Sequence, residues 1–485
     1  MPVARLPLFA VLLIAVSAVA PAAAARVHHY VVSVNDALTE LRVRACFDGA
    51  PPLTLVAESL DAASALQEAR IEGSHKPLEP NGAELKIGQQ KPGTCVLYTA
   101  VMLGQGKRHQ LAVGPGRRVG PDVITDVGQW LWRPSALADD EDVELRFELP
   151  NGIAASAPWR PVRDASGQVS AYRLGHAPYD WPAAVAFGHF AEHEIAVAKA
   201  RLRVAVLHGS PAPDWDFIRQ WLTHAAESVA TLYGRFPVDD AQVLVVPGAR
   251  GNEPVPSAYV LRGGQPALHL FINQRYPLVA FEQDWSAVHE MAHLFLPYVA
   301  SEDAWLSEGL ASYYQHVLRA RAGTISPAEA WRLLDTNFRR GMRSTLNLTL
   351  AAATEGMHRS GAFMRVYWEG AALMLMADQQ LRERTNSRES LDSVLAKLHD
   401  CCLAPDGEWH ARTLLDKLDQ LSGTHVFGEL YEMQARETAF PDLQTTYRAL
   451  GIVSDEASGT LTLLDQASRR SDREAIMTAA TMPAQ

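Results

Sequence analysis

The sequence predicts an α+β protein of three domains, in the order β domain, mixed domain and helical domain. Length is the first observation, because 485 residues give room for about three domains of about 150 residues each. The second is a change of hydrophobic period near residue 200, from the alternation of strands to the spacing of helices. Third, apolar residues make up 48% and charged residues 20% of the chain, which argues against a disordered or fibrous protein.

Residues 1–25 precede these domains and have the features of a secretory signal peptide. One charge, at Arg5, is followed by an apolar run over residues 6–20, then by Pro21 and four alanines. The run is shorter than the about 20 residues of a membrane-spanning helix, so we expect cleavage rather than anchoring. The mature chain is then expected to be periplasmic or secreted, without a membrane span.

Residues 26–200 are expected to form an antiparallel β domain. Apolar residues alternate with polar ones over residues 30–34, 41–45 and 143–149, the period of half-buried strands. Gly, Pro and Asp separate these segments, as they do in the turns between short β-strands.

The chain has four cysteines, which export to an oxidising compartment makes candidates for disulfides. A bridge between Cys46 and Cys95 would stabilise the β domain by up to about 4 kcal/mol in the chain-entropy model. Cys401 and Cys402 are adjacent, a geometry that strains a mutual disulfide. We therefore expect these two to be unpaired or buried.

The mixed domain is expected over residues 201–325 and the helical domain over 326–485. After the apolar run 202–207, the period becomes helical. The residues at helical spacing are Trp215, Ile218, Trp221, Leu222, Ala225, Val229 and Leu232. Longer helical patterns follow residue 325, and no repeat of about 20 to 50 residues is present.

The charge balance argues against a nucleic-acid partner. Forty-four Lys and Arg against 55 Asp and Glu give a net charge of −11, and no basic run occurs. Sequence-independent binding to nucleic acid depends on clustered cations that neutralise phosphates. The oligomeric state is left open by the sequence.

The segment His289-Glu290-Met291-Ala292-His293 has the spacing of a zinc site, in an apolar context that suits a buried helix. Residues four apart lie on one helix face, so both imidazoles can bind one Zn²⁺. Glu290 follows the first histidine, from where its carboxylate can accept a proton from the attacking water.

A third ligand is predicted at Glu308, 15 positions after His293. Two histidines and a glutamate leave the fourth position of Zn²⁺ open, which is typical of catalytic rather than structural zinc. One Zn²⁺ per chain is therefore expected. Ser312, one helical turn beyond Glu308, is a candidate to support the site by a hydrogen bond. The alternative is an ordinary helix hairpin whose histidines and glutamate satisfy one another.

This constellation resembles the gluzincin aminopeptidases, and more narrowly the glycyl-aminopeptidase family. The zinc motif is followed by Trp-Leu-Ser-Glu-Gly-Leu-Ala-Ser-Tyr over residues 305–313. Residues 366–372 resemble the family's Tyr-x-Lys-Gly-Ala segment, and residues 381–392 its Arg-x-x-(Thr/Ser)-x-Gly-x-x-Ser-Leu-Asp run. The resemblance implies a thermolysin-like catalytic domain whose active site is completed by the helical domain. It also implies that Tyr367 donates a hydrogen bond to the oxyanion.

Glu369 stands where the family has a lysine, so a reversed charge is expected near the site. The resemblance further places the carboxylate that holds a substrate's α-amine at Glu253, after the strand 243–246. The alternative for Glu253 is a solvated loop acid. The inverted zinc motif from His189 to His193 is rejected, because its region lacks helical periodicity and no third ligand follows it.

The expected function is zinc-dependent hydrolysis of peptide bonds, as an aminopeptidase that acts on short peptides. Two alternatives remain open. The first is an endopeptidase with the same zinc site, and the second is a non-catalytic secreted binding protein on a peptidase fold. A peptide is the expected partner in the first two cases, whereas side-chain preference and physiological substrate are not indicated.

Overall fold

The computed structural model describes residues 26–479, apart from 61, 104–115, 176–182, 263, 345–346, 404–406 and 456–457. The predicted signal peptide therefore lies outside the described residues. The described elements form an N-terminal β domain, a mixed domain on a five-stranded sheet and a C-terminal helical domain. Within this part of the chain, no helix has both the length and the apolar character needed to cross a bilayer.

The N-terminal domain contains a seven-stranded sheet and two four-stranded sheets. Alternating burial in its strands places Tyr30, Val32 and Leu41 in a core with Trp130 and Trp159. Its elements are β1 Arg26–Val34, β2 Glu40–Cys46, β3 Thr54–Val56, α1 Ala62–Ala65, β4 Leu66–Ile71, β5 Pro80–Asn81, β6 Glu84–Lys86, β7 Cys95–Val101, β8 Arg117–Val119, β9 Asp122–Asp126, β10 Arg133–Pro134, β11 Glu141–Glu148, β12 Ala154–Ser156, β13 Arg160–Arg163, β14 Val169–Arg173 and β15 Ala184–Gly188.

One pairing departs from the antiparallel prediction. The large sheet has the order β13-β14-β11-β1-β2-β7-β4, and β1 runs parallel to β11. Parallel neighbours need a long crossover, which the chain between these two strands supplies. Alternation has the same period in both kinds of pair, so the sequence could not separate them.

The predicted disulfide between Cys46 and Cys95 is confirmed. The two residues lie opposite each other on the antiparallel strands β2 and β7. The prediction for Cys401 and Cys402 is wrong, because these neighbours form a second disulfide. They are the last two residues of the helix Leu391–Cys402, and Cys401 is exposed.

The mixed domain is a five-stranded sheet covered by helices. Its strands have the order β16-β17-β18-β20-β19, with β17, β18 and β20 parallel and β19 antiparallel at one edge. The elements are β16 Glu192–Val197, β17 Ala200–Val206, α2 Trp215–Ala230, β18 Asp240–Pro247, β19 Ser257–Leu261, β20 Ala267–Ile272, α3 Leu278–Gln283, α4 Ser286–Ala292 and α5 Ala304–Arg321.

The mixed domain begins before the predicted boundary at residue 201. Strand β16 pairs with β17 through a tight hairpin, whose turn residues Ala198 and Lys199 both have positive φ. Such turns usually contain Asn or Gly. Neither is present here, so the hairpin had no recognisable turn signal.

The helical domain shares one continuous core with the mixed domain. Buried residues from Ile195 in β16 to Met477 near the C-terminus belong to a single hydrophobic cluster. The elements are α6 Pro327–Met342, α7 Leu350–Glu355, α8 Met357–Ser360, α9 Phe363–Thr385, α10 Leu391–Cys402, α11 Ala411–Ser422, α12 Val426–Gln434, α13 Gln444–Leu450, β21 Ile452–Asp455, β22 Thr460–Leu463 and α14 Arg470–Ile476.

Two glycines bring α5 and α9 into backbone contact. A Cβ built on Gly309 would lie 2.4 Å from the carbonyl carbon of Gly370, and one built on Gly370 would lie 2.3 Å from the Trp305 oxygen. Only residues without a side chain allow this approach. Gly309 follows Glu308 in α5, and Gly370 lies one turn after Tyr367 in α9, so the contact brings these two site residues together.

Candidate active site

The two histidines of the zinc motif lie on one buried face, as predicted. His289 belongs to α4 and His293 begins the short 3-10 turn that follows it. Their ring centroids are 4.9 Å apart. The exposed fraction is only 3% for His289 and 4% for His293, so both rings are withdrawn from bulk water.

Each imidazole is oriented by a hydrogen bond from its Nδ1. The Nδ1 of His289 lies 2.8 Å from the Gln315 Oε1, and the Nδ1 of His293 lies 2.8 Å from the Ser307 Oγ. An amide oxygen can only accept, so His289 carries its proton on Nδ1, and Ser307 can accept in the same way. Both Nε2 atoms face the same place and can act as ligand atoms when they carry no proton.

Glu308 on α5 supplies a carboxylate at that place. Its Oε2 lies 3.3 Å from the His289 Nε2 and 3.5 Å from the His293 Nε2. Although burial raises the pKa of Glu308, the histidines and Arg262 outweigh this effect and lower the pKa to about 2. Glu308 therefore carries a negative charge at neutral pH.

These three residues fit Zn²⁺. One potential ligand atom from each lies within 4.8 Å of the others, and no other such group of histidine, cysteine and carboxylate side chains occurs in the described chain. Tetrahedral zinc with bonds of about 2.0 to 2.1 Å places its ligands about 3.4 Å apart. The separations from Glu308 to the two histidines match that value. Two neutral imidazoles and one carboxylate are also a donor set that zinc prefers.

Glu290 lies beside this group on α4 and is 9% exposed. Its carboxylate accepts a hydrogen bond from the Val260 N–H of the edge strand β19. Burial is the main cause that raises the pKa of Glu290 to about 7. The negative charge of Glu308 raises the pKa further, whereas His289 and Arg262 lower it. A carboxylate with this pKa can both accept and return a proton near neutral pH.

Tyr367 reaches the same centre from α9. Its ring stacks on His289 with the centroids 6.1 Å apart, and its hydroxyl hydrogen-bonds to Glu308. Burial, followed by the negative charges of Glu308 and Glu290, raises the pKa of Tyr367. The phenol stays protonated and remains a donor.

Glu253 lies at the mouth of the cleft that contains these residues. The cleft has a volume of about 670 Å³, and Glu253 is exposed in the loop between β18 and β19. Burial is the main cause that raises the pKa of Asp284, and the negative charge of Glu253 raises it further. Other residues lining the cleft include Val255, Trp285, Met357 and Phe363, together with the acidic Glu302 and Glu355.

Two sequence expectations about neighbouring residues are wrong. The Ser312 Oγ is buried without a hydrogen-bond partner, so Ser312 supports neither histidine. Glu369 does not line the cleft; its buried carboxylate pairs with Arg365 and accepts a hydrogen bond of 2.8 Å from Gln434. Residues two apart on a helix differ in direction by about 200°, so Glu369 faces away from the side on which Tyr367 lies.

Gln315, Ser307 and Arg262 are site residues that the sequence analysis missed. Gln315 is seven positions after Glu308, two turns along the same face of α5, so helical periodicity could have identified it. Ser307 precedes Glu308 directly. Arg262 follows β19 and donates from Nη1 to the His293 carbonyl oxygen at 3.1 Å, a contact that only the tertiary fold creates.

The rejected motif at residues 189–193 does not form a metal site. The His189 Nδ1 contacts the Gly152 carbonyl oxygen at 3.0 Å, and Glu192 accepts a hydrogen bond from Ser156. His193 stacks on Trp215 with the ring centroids 4.0 Å apart. The side chains of His189, Glu192 and His193 thus each have a different partner and do not converge on one point.

Solved structures of similar fold are described as an aminopeptidase N family protein and as an M1 zinc metallopeptidase. One is an aminopeptidase N family protein from Idiomarina loihiensis, with a TM-score of 0.68 and 14% identity over 88% of this chain and 78% of that chain. Another is an M1 zinc metallopeptidase from Deinococcus radiodurans, with a TM-score of 0.56 and 13% identity over 86% of this chain and 94% of that chain.

A point mutant of the M1 zinc metallopeptidase from Deinococcus radiodurans, described as bound to a Tyr-Ser-Ala substrate, has a TM-score of 0.55 and 12% identity over 86% of this chain and 94% of that chain. No protein-family profile matches the chain, and a search of curated proteins finds no match. The likeness therefore concerns the fold: the chain has a gluzincin aminopeptidase-like fold.

Proposed function

We propose that this chain is a zinc-dependent metallopeptidase that hydrolyses peptide bonds, and more narrowly an aminopeptidase that acts on short peptides. The observation that carries the proposal is the convergence of His289, His293 and Glu308 at the spacing of tetrahedral zinc ligands. Glu290 and Tyr367 lie against this group in one cleft. A binding protein would have no need for either residue.

His289, His293 and Glu308 would hold the metal. When bound, Zn²⁺ would supply Lewis acidity that polarises the substrate carbonyl and makes water a better nucleophile near neutral pH. Glu290 accepts the proton of the attacking water and returns it to the leaving amine. Tyr367 donates its hydroxyl hydrogen to the oxygen on which negative charge develops.

Removal of the metal and of the base tests this mechanism. Purified protein should contain one Zn²⁺ per chain and lose peptidase activity on treatment with a chelator. Glu290→Gln should keep the zinc, because its carboxylate is not one of the three ligands, and should lose at least about 100-fold in kcat. Near-normal turnover in Glu290→Gln, or a metal-free active enzyme, would contradict the proposal.

Blocking the substrate's N-terminus distinguishes an aminopeptidase from an endopeptidase. Glu253 is the proposed partner of the α-amine, since it lines the cleft that contains His289, His293 and Glu308 and is exposed there. An aminopeptidase should cleave free tripeptides and fail on their N-acetylated forms, and Glu253→Gln should raise KM for the free peptides. Equal cleavage of both forms would favour the endopeptidase alternative.

A peptide-library assay on zinc-loaded protein tests the remaining alternative, a binding protein on a peptidase fold. If the wild-type protein cleaves a peptide of the library that Glu290→Gln leaves intact, that alternative is excluded. Saturable peptide binding without cleavage would instead support it.

We also propose that the chain acts in the periplasm or outside the cell. All cysteines in the described chain are in disulfides, which suits an oxidising compartment. N-terminal sequencing of the exported protein should locate a new terminus near residue 26. An intact N-terminus on cytoplasmic protein would contradict this assignment.

A further inference from the structure

Arg262 is a cation at the floor of the cleft without an acidic partner. Its Nη1 donates to the His293 carbonyl oxygen, while its buried Nε has no hydrogen-bond partner. It forms no ion pair with any carboxylate in the described chain, although it lines the cleft. Burial of a charge is costly unless a counter-charge or full hydrogen bonding compensates for it.

Elsewhere the chain pairs several of its buried arginines with carboxylates. Arg203 meets Asp240 at 2.8 Å, Arg321 meets Asp392 at 2.8 Å and Arg382 meets Asp378 at 2.9 Å. These pairs lie inside the packed structure, where no ligand could provide the missing charge. Arg262 differs from them because it borders open space that a substrate can enter.

The two nearest acids are already committed to other partners. Glu308 is directed at the two histidines, and Glu290 accepts the Val260 N–H. When Zn²⁺ is bound, its two positive charges balance the negative charges of Glu308 and Glu290. The positive charge of Arg262 then has no counter-charge among these groups. At Arg262 the loaded cleft thus presents a positive charge to an anionic group on the substrate.

We propose that Arg262 binds a substrate carboxylate located within about one residue of the scissile bond. The inference rests on the proposed peptidase function and names its substrate class. Only the side chain of His293 separates the Arg262 contact from the metal-facing nitrogen of that histidine. Because one extended residue spans about 3.3 Å, we expect a carboxylate at this position to belong to a residue beside the cleaved bond.

Two kinds of peptide can present such a carboxylate. One is a dipeptide, whose C-terminal carboxylate belongs to the residue beside the cleaved bond. The other is a longer peptide with Asp or Glu beside the bond. A guanidinium can bind either carboxylate through two parallel N–H donors, and Arg262 lines the cleft from which a substrate would approach.

The first experiment compares matched substrates of the wild-type enzyme. Ala-Ala is compared with its C-terminal amide, and amidated peptides with Glu on either side of the bond are compared with their Gln counterparts. We expect kcat/KM to be about 10- to 100-fold higher for the carboxylate form of at least one pair, the range of a charged hydrogen bond. An effect in the first pair identifies the C-terminus, and one in the second identifies a side chain.

The second experiment uses Arg262→Gln and Arg262→Lys. Arg262→Gln should erase the preference for carboxylate over amide, mainly through KM, whereas Arg262→Lys should retain part of it. Zinc content measures whether loss of the bond to His293 has disturbed the metal site. Arg219→Gln, which removes an exposed arginine of α2, is the matched control and should keep the wild-type preference.

A binding measurement separates this inference from the proposed function. Calorimetric titration of zinc-loaded Glu290→Gln with Ala-Ala and with its amide reports recognition without turnover. Tighter binding of the free acid supports the role of Arg262 even if no peptide is cleaved. Equal affinities and equal kcat/KM within every pair would overturn the inference, and so would an equal loss for acid and amide in Arg262→Gln.

Discussion

At the scale of single residues, the site depends on hydrogen bonds that fix which nitrogen of each histidine faces the metal. Gln315 and Ser307 hold the two Nδ1 atoms, so the Nε2 lone pairs converge before any ion arrives. Such outer partners keep the ring from rotating and raise its basicity. The zinc motif in the sequence names the ligands but not these supports.

Gln315→Leu should weaken zinc binding by about 10- to 100-fold, because His289 loses the acceptor that fixes its tautomer and ring orientation. Competition with a chromogenic chelator measures the affinity. Ser312→Ala is the matched control, since its buried hydroxyl on the same helix has no partner and its loss should leave the affinity unchanged. Equal affinities of Gln315→Leu and wild type would show that the bond is dispensable.

Asp126 provides a pH dependence that is independent of the metal centre. It caps the turn after β9 by accepting the Gly128 N–H at 2.9 Å. Burial raises the pKa of Asp126 from 3.8 to about 6, against the opposing effect of this bond. Since the folded state binds the proton more tightly, the stability from this group is complete below about pH 4 and lost as pH rises through about 6.

Asp126→Asn keeps an acceptor oxygen but cannot ionise. Between pH 4 and pH 7 the free energy of unfolding of the wild type should fall relative to this variant by about 1 to 3 kcal/mol. Urea denaturation at a series of pH values measures the difference. A difference that stays constant over this range would contradict the raised pKa.

At the scale of elements, the site is assembled by contact between α5 and α9. Gly309 and Gly370 allow the two backbones to touch, and Glu308 and Tyr367 lie next to that contact. The close packing of the two helices therefore explains why a glycine is needed at position 370, in the segment after Tyr367. A spacing rule within one helix could not have brought Tyr367 to the metal centre.

Gly370→Ala should separate these helices, because its Cβ would lie 2.3 Å from the Trp305 oxygen and 2.8 Å from the Gly309 Cα. We expect a loss of about 1 to 3 kcal/mol in stability, as in other overpacked cores. The kcat per zinc-loaded molecule should fall as well, since Tyr367 moves away from Glu308.

Gly356→Ala is the control for this prediction. The residue lies between α7 and α8, its φ is −90°, and an added Cβ would come no closer than 3.3 Å to a neighbouring atom. Chemical denaturation and single-turnover kinetics measure the two effects. Unchanged stability and kcat in Gly370→Ala would show that the glycine contact is not needed.

At the scale of the whole molecule, the mixed and helical domains form one cooperative unit. They share a single hydrophobic cluster, and the three candidate ligands come from α4, the turn after it and α5, which lie within that unit. A metal bound there is linked to the folding of both domains, because the unfolded chain does not hold the ligands together.

Zinc should therefore raise the melting temperature of the mixed and helical domains together. Free zinc at 100 times its Kd adds about 2.7 kcal/mol to the stability of a single-site protein. Calorimetry with zinc and with a chelator measures the shift. Glu308→Gln should reduce it strongly, and a shift of the same size in that variant would show that the ion binds elsewhere.

The sequence by itself predicted the three candidate ligands, Glu290 as the candidate base beside them and the order of β and α regions. These follow from periodicity and short spacing, which are local properties of the chain. The disulfide between Cys46 and Cys95 was predicted from the strand pattern and the expected oxidising compartment. The sequence analysis missed the hairpin at Ala198 and Lys199, because their conformation carries no residue signal. The prediction that Cys401 and Cys402 are unpaired or buried was also wrong, because the two form a disulfide at the end of a helix.

Only the tertiary structure decided which distant groups meet at the cleft. The contact of Arg262 with His293, the support of His289 by Gln315 and the direction of Glu369 all arise from packing between elements. Sequence patterns report which face of an element is apolar, but they do not report which partner covers that face. For this reason the candidate ligands could be predicted from two short segments, whereas the unpaired charge of Arg262 beside them emerged only from the fold.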